Sequence, residues 1–354
     1  MKELDAEALR SWLNDRARSH EFSGVARVTS GDHTLFEHAA GHAHRGHQVP
    51  ITMGTRFQVA SVTKMITATT ALRLVERGVL SLDRPLTSSL PPSFRPEAMD
   101  DRHTLHHLLS HTSGLANYHD DEDETWASFT SAWDRVPVYR ARGPADIFPL
   151  FADLPAVSDP GEFRYADANY VLIGLLIEWV EGKPFADVAT KEVLVPAGMT
   201  ESGFFELDLE PGPFATAYLA TDDPPETWRS NIYSVPAGGM PDGGMTTTAP
   251  DLAHYLDALR EGRLLTKKSL GLMLTPHGTE EGSPEAYGYG IELVVEDGVV
   301  TIYGHGGADP GVSTMVSHFV DPEVSIVVLC NQDRGSWAVV QRIVADLGLT
   351  DPRE

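Results

Sequence analysis

The feature that most constrains the fold of this chain is the presence of strand signals near both of its ends. Residues 24–29 and 34–39 are predicted to form two strands around a turn at residues 30–33. Asp297 and Gly298 are a dipeptide typical of a tight hairpin. They lie among four more predicted strands, at residues 291–295, 299–303, 314–320 and 325–330.

A helix is predicted outside each group of strands, at residues 5–17 and 337–347, and the long middle of the chain is mostly helical in pattern. The simplest assembly is an α+β fold. An antiparallel sheet is built from both chain ends and flanked by the terminal helices, and a mostly helical lobe is inserted. We expect residues 1–60 and 240–354 in the sheet lobe and residues 61–239 in the helical lobe.

Charge and composition exclude several classes of function. The net charge is −24, so nucleic acid is not an expected partner, because phosphate binding needs clustered Lys and Arg. No apolar run is long enough to span a membrane, and the polar N-terminus lacks a signal-peptide pattern, so we expect a cytoplasmic protein. The acidic run at residues 120–124 is interpreted as a solvated loop, or as a field that repels anionic ligands. The single cysteine, Cys330, ends an apolar run and is expected in a buried strand.

A candidate nucleophile begins a predicted helix that ends before Gly78. Lys64 follows Ser61 by three residues, and residues three apart on a helix are neighbours. The lysine can therefore exchange a proton with the serine, and the N-terminal helix dipole favours negative charge there. This spacing occurs often by chance, so the pair alone is a weak signal.

Other motifs strengthen it. Tyr165-Ala166-Asp167 precedes a predicted helix about a hundred residues later, and His305-Gly306-Gly307 ends a C-terminal strand. The chain also holds His111-Thr112-Ser113-Gly114-Leu115 between Ser61 and Tyr165, and Thr248-Ala249-Pro250-Asp251-Leu252 between Tyr165 and His305. With these motifs in this order over residues 22–331, the chain resembles the class C-type serine β-lactamase and DD-peptidase family, which also holds esterases and D-aminopeptidases.

The resemblance implies an active site in the groove between the two lobes. Ser61 is similar to the family's acylated nucleophile, Lys64 to its proton partner and Tyr165 to a tyrosine that acts as general base. Either Lys64 or Tyr165 could be the base. A phenol could serve only if a cation such as Lys64 lowered its pKa, and the two groups should titrate as a coupled pair. The resemblance places the oxyanion hole at the backbone N–H groups of Ser61 and Ala308, just after Gly307.

Two residues depart from the family pattern. His305 stands where lactamases usually have lysine, and a neutral imidazole offers little to a substrate carboxylate. Asp167 stands where the tyrosine motif usually has asparagine; a carboxylate there would raise the pKa of Lys64 or bind a substrate amine. Both residues are candidate substrate contacts. We therefore expect short neutral esters or amino-terminal D-aminoacyl amides to be preferred over penicillins.

The leading hypothesis is a serine hydrolase acting through an acyl-enzyme on a small ester or amide, of carboxylesterase or D-amino-acid peptidase type. The alternatives are a true β-lactamase or DD-peptidase, an acyltransferase or amide synthase in secondary metabolism, and a non-catalytic binding protein on the same fold. The histidine groups at residues 42–47 and 103–111 lack metal-site spacing, so neither a metal nor a cofactor is expected. The sequence leaves the oligomeric state open.

Overall fold

Strands from both ends of the chain pair side by side in a computed structural model, which describes residues 1–120, 126–209, 212–220, 227–279 and 283–353. The predicted acidic loop therefore lies outside the described residues, except for Asp120. The strands are β1 (Gly24–Ser30), β2 (His33–Ala40), β3 (His42–His44), β4 (Val49–Pro50), β5 (Phe57–Gln58), β6 (Tyr218–Ala220), β7 (Trp228–Ser230), β8 (Thr246–Thr247), β9 (Gly278–Thr279), β10 (Glu285–Tyr287), β11 (Glu292–Glu296), β12 (Val299–Asp309), β13 (Val312–Phe319) and β14 (Val324–Cys330).

Helices flank the sheet and fill most of the middle of the chain. Within the described residues they are α1 (Ala6–Arg18), α2 (Thr63–Glu76), α3 (Leu105–Leu109), α4 (Ala127–Ala132), α5 (Pro144–Ile147), α6 (Asp167–Glu181), α7 (Phe185–Ala189), α8 (Val195–Ala197), α9 (Ala249–Arg260), α10 (Lys267–Met273) and α11 (Ser336–Leu347). In this part of the chain, no helix is both long and apolar enough to cross a bilayer.

The main sheet has the order β2-β1-β14-β13-β12-β11-β10-β9, and its neighbouring strands are antiparallel. β1 pairs with β14 along its whole length, from Gly24 opposite Cys330 to Ser30 opposite Val324. The predicted α+β class, with a sheet built from both chain ends, is confirmed. The lobe boundaries at residues 60 and 240 stay a prediction.

Both faces of the sheet are buried because its central strands are apolar on both sides. Val328 points into a core formed with α1 and α11, whereas Val327 and Leu329 point into a larger core with the helices of the middle segment. Cys330 is buried in the first of these cores, as predicted. Two-sided burial explains why β14 is a continuous hydrophobic run rather than an alternating one.

Two differences from the predicted elements bear on the site. β12 continues to Asp309, beyond the strand predicted to end at residue 303. The helix predicted from Ser61 onward begins as a 3₁₀ turn, Ala60–Val62, and becomes α-helical at Thr63. Both differences lie where β12 passes the N-terminus of α2, so tertiary contact decides them rather than local preference.

Candidate active site

Ser61 lies in the 3₁₀ turn that leads into α2. The preceding residue, Ala60, has φ of 46°, in the left-handed region that residues with a side chain rarely adopt. Such strain costs on the order of 1–3 kcal/mol and is typical of functional sites. The N–H of Val59 donates to the carbonyl of Met245 at 3.2 Å and helps to hold the turn. Ser61 is therefore presented at the positive end of the α2 dipole.

β12 approaches this turn closely because Gly307 has no side chain. A Cβ at Gly307 would overlap the carbonyl oxygen of Val59. The hydroxyl of Thr314 lies 3.1 Å from the Val59 carbonyl and 3.2 Å from the Gly307 carbonyl, and so ties the two segments together. This contact fixes the distance between the end of β12 and Ser61.

The predicted second oxyanion donor, Ala308, is exposed on the open edge of β12. The N–H of Gly306 donates to the carboxylate of Glu292 at 3.0 Å. Because N–H groups alternate in direction along a strand, the N–H of Ala308 faces the same edge, which borders the groove containing Ser61. The placement is compatible with an oxyanion hole, which stays a prediction.

Lys64 is fully buried directly behind Ser61. Its Nζ donates to Ser61 Oγ at 2.9 Å and to the backbone carbonyl of Asp242 at 2.7 Å, and it forms an ion pair with Asp167. Burial acts to lower the pKa of Lys64, but the charges of Asp167, Tyr165 and Asp242 outweigh it and raise that pKa. The lysine is therefore an ammonium in the resting site, and Asp167 raises its pKa as expected from the sequence.

Tyr165 lies beside the same ammonium, with its ring centroid 5.0 Å from Lys64 Nζ. His111 stacks on this ring at 4.2 Å, and its Nδ1 accepts from the N–H of Ala166 at 3.1 Å, so His111 positions Tyr165. Burial raises the pKa of Tyr165 above its ordinary value, while the Lys64 charge acts in the opposite direction without prevailing. The charge of Lys64 thus lowers the pKa of Tyr165, as expected. The net pKa is nevertheless raised, because burial has the larger effect.

Both oxygens of Asp167 are already engaged. Oδ1 pairs with Lys64, and Oδ2 lies 2.8 Å from Nε2 of His119. Burial would raise the pKa of Asp167, but Lys64 and His119 hold it below the usual range. Asp167 lines the pocket and stabilises the ammonium of Lys64, and its predicted contact with a substrate stays a prediction.

His305 lies under the groove with an exposed fraction of 1%. Its Nδ1 is 2.5 Å from the carbonyl oxygen of Gly306 and 3.2 Å from the carboxylate of Glu292, and because both neighbours are acceptors, Nδ1 carries the proton. Its Nε2 lies 2.8 Å from the hydroxyl of Tyr287 and accepts from it. Burial lowers the pKa of His305, so it is neutral at pH 7. The ring therefore supports the end of β12, and direct contact with a substrate stays a prediction.

The sequence interpretation missed two further carboxylates, Asp242 and Asp309. Together with Asp167 they line a pocket beside Ser61. Its apolar walls are Phe129, Phe205, Leu207, Val235, Pro236 and Met240. Burial, followed by the charge of Asp167, raises the pKa of Asp242 to about 6 and that of Asp309 well above its usual value. Neither residue belongs to a recognisable motif, so composition and spacing gave no signal.

Comparisons with known proteins show which family this chain resembles. The beta-lactamase family model matches residues 9–349. The esterase EstB of Burkholderia gladioli is 34% identical over 292 residues, which cover 73% of this chain and 71% of that protein. The crystal structure of a penicillin binding protein from Bacillus halodurans matches with a TM-score of 0.87 and 35% identity, over 94% of this chain and 99% of that one.

The crystal structure of a D-stereospecific amidohydrolase from Streptomyces sp. matches with a TM-score of 0.77 and 27% identity. The match covers 98% of this chain and 100% of that one. The resemblance inferred from the motifs is thus confirmed. Because the family model covers nearly the entire sequence, this chain belongs to the beta-lactamase family.

Proposed function

We propose that this serine hydrolase forms an acyl-enzyme at Ser61 from a small ester or amide that carries no carboxylate near its scissile bond. The observation that carries the proposal is the buried ammonium of Lys64 bonded to Ser61 Oγ at 2.9 Å, at the edge of a pocket lined by carboxylates. EstB and the Streptomyces amidohydrolase are named for ester and amide hydrolysis, and they support this reaction class.

The reaction requires a proton acceptor for Ser61. Oγ attacks the acyl carbon and its proton passes to the Lys64 and Tyr165 pair once that pair has lost a proton. The carbonyl oxygen becomes an oxyanion facing the N–H groups of Ser61 and Ala308. The same pair then protonates the leaving alcohol or amine, and water attacks the acyl-enzyme in the second half-reaction to release the acid and free Ser61.

Charge decides between the candidate substrates. Lys64 is already paired with Asp167, and the other ionisable side chains around the groove include the acids Asp242, Asp309 and Glu292. A penicillin carboxylate would meet repulsion there and find no free cation among the described lining residues. This disfavours a true β-lactamase or DD-peptidase. Acyl transfer to an amine would use the same acyl-enzyme and remains the alternative. A non-catalytic binding protein would not need the hydrogen bond from Lys64 to Ser61.

We expect the wild-type enzyme to hydrolyse short p-nitrophenyl esters with a kcat/KM roughly a hundredfold above that for benzylpenicillin or a chromogenic cephalosporin. A charge-matched contact in a partly buried site is worth roughly 1.5–3 kcal/mol, which gives this order of selectivity. The measurement is steady-state kinetics on both classes at pH 7.5.

Ser61→Ala is the control for background hydrolysis in that panel. Penicillin turnover equal to ester turnover would contradict the charge argument. In that case an Asp167→Asn variant with unchanged preference would show that these carboxylates do not set specificity.

Asp167→Asn should move the ascending limb of the kcat/KM profile to lower pH, by about one unit or more. The carboxylate of Asp167 raises the pKa of both Lys64 and Tyr165. Removing its charge therefore lowers the pKa of the base, whichever of the two it is, and the base form is populated at lower pH. The profile reports ionisations of the free enzyme and is measured with a neutral ester from pH 5 to 10.

Asp251→Asn is the matched control. Asp251 is also buried, but its carboxylate accepts hydrogen bonds from the Ser202 hydroxyl and the N–H of Glu201, outside the pocket. Its profile should coincide with that of the wild type. An ascending limb that stays in place or moves to higher pH in Asp167→Asn would show that neither Lys64 nor Tyr165 is the titrating base.

A further inference from the structure

Asp242 is fixed beside the nucleophile by its own backbone. Its carbonyl accepts from Lys64 Nζ at 2.7 Å, and the same Nζ reaches Ser61 Oγ at 2.9 Å. One head group thus separates Asp242 from the reacting serine. The Asp242 side chain lines the pocket at an exposed fraction of 5%, so its position is set by the fold rather than by solvent.

The Asp242 carboxylate is only half satisfied. Its Oδ2 accepts from the hydroxyl of Tyr118 at 2.7 Å. Its Oδ1 is buried and has no hydrogen-bond partner among the described residues. A buried charged oxygen without a partner is costly, and native structures rarely keep one without a reason. The unpartnered oxygen is therefore a place for a hydrogen-bond donor that is not part of the resting protein.

Asp309 adds a second carboxylate at the same pocket. It ends β12, and its Oδ2 lies 3.9 Å from the position that a Cβ on Gly243, the residue after Asp242, would occupy. Within the described ranges, neither Asp242 nor Asp309 forms an ion pair with a cationic side chain. Asp167 differs, since Lys64 and His119 satisfy it. The two acids are thus left to face the pocket without counterions of their own.

We infer that Asp242 and Asp309 form a subsite for an organic ammonium group, which binds the α-amine of an aminoacyl ester or amide. The inference rests on the proposed function, because it assigns the substrate class of the same acyl-enzyme. Ser61, Asp242 and Asp309 line the same pocket, so the α-amine of an acyl group on Ser61 enters the space that these two carboxyl groups border. An ammonium supplies three donors, which match the free oxygen of Asp242 and the Asp309 carboxylate.

A bound ammonium group would also lower the electrostatic cost of burying these two carboxyl groups. Burial, followed by the negative charge of Asp167, raises the pKa of both acids, and a bound cation would favour their ionised forms. The titratable groups facing them are Asp167, Lys64, Tyr118 and His119, and of these the cationic Lys64 is already paired.

The test compares D-alanine p-nitroanilide with propionyl p-nitroanilide, which differs only by lacking the amine. At pH 8 the wild type should prefer the amino substrate at least tenfold in kcat/KM. Asp242→Asn and Asp309→Asn should each lower this ratio about tenfold, since each removes one charge-assisted partner. Asp321→Asn is the matched control. It removes one negative charge from an exposed turn beyond the far end of β13 and should keep the wild-type ratio.

A second measurement needs no variant and so does not depend on folding. In the wild type, n-propylammonium should inhibit ester hydrolysis at a concentration at least tenfold lower than n-propanol does, at constant ionic strength. Equal inhibition would overturn the subsite. So would a wild-type ratio of one or less, a ratio unchanged in both Asp variants, or a preference that appears only with added Mg²⁺ or Ca²⁺.

Failure of the subsite is distinguishable from failure of the proposed function. If Ser61 reacts with a fluorophosphonate and neutral esters are hydrolysed while the amine has no effect, only the subsite is wrong. If neither labelling nor ester hydrolysis occurs, the acyl-enzyme itself is wrong and the subsite falls with it.

Discussion

Ser61→Ala is expected to abolish ester turnover, with kcat/KM falling by roughly 10⁴-fold or more, and to abolish covalent labelling by a fluorophosphonate. Ser61 is the hydroxyl that the buried ammonium of Lys64 contacts, at 2.9 Å, and the strained turn at Ala60 presents it at the end of α2. Without Oγ no acyl-enzyme can form. The measurements are steady-state kinetics with a p-nitrophenyl ester and intact-protein mass spectrometry after labelling.

Ser30→Ala is the matched control, because Ser30 is also half-buried but ends β1 in the main sheet. It should keep both turnover and labelling. Thermal melts of the two variants separate a chemical loss from unfolding. Labelling of Ser61→Ala at the wild-type rate would mean that another residue is the nucleophile.

Substitutions of Lys64 and Tyr165 should lower the activity of the enzyme in a non-additive way. Each single removal, Lys64→Ala or Tyr165→Phe, should lower kcat/KM by roughly 10²–10⁴-fold. The double variant should be scarcely worse than the poorer single variant, because residues that act as a unit give non-additive losses. The geometry supports a unit, since Nζ lies 5.0 Å from the phenol ring centroid and both groups belong to one buried charge network.

Lys64→Ala alone would leave Asp167 buried without its lysine, which costs about 3–5 kcal/mol of stability. The double-mutant cycle of Lys64→Ala and Tyr165→Phe should therefore be measured in the Asp167→Asn background, where the buried carboxylate charge is absent. Asp167→Asn alone is the reference point. Losses that multiply fully in that background would rule out a shared proton-transfer task.

The sheet was predictable because its strands are marked by local chemistry. Asp297 and Gly298 favour a tight turn, and β11 ends just before them while β12 begins just after them, with Asp297 at φ of 51°. Continuous apolar residues marked β14. The extension of β12 to Asp309 could not be predicted, because packing against the turn at Ser61 causes it, and that contact joins segments far apart in sequence.

The site was predictable where its residues belong to motifs. The structure brings Ser61, Lys64, Tyr165 and Asp167 together, and it places His305 in a supporting position. Asp242 and Asp309 could not be predicted, because an aspartate followed by glycine or proline is usually a turn residue. Only the folded chain shows that these two carboxyl groups share a pocket with the nucleophile.

The pairing of β1 with β14 has a consequence for synthesis on the ribosome. Residues 31–323 separate the two strands, so β1 and the α2 segment emerge long before the partner that completes the sheet. Contacts of such separation form slowly, and unpaired strand edges are prone to aggregation until they form. The hydrolase therefore matures only when translation has passed β14, and a nascent chain stalled before residue 324 holds the nucleophile without an assembled active site.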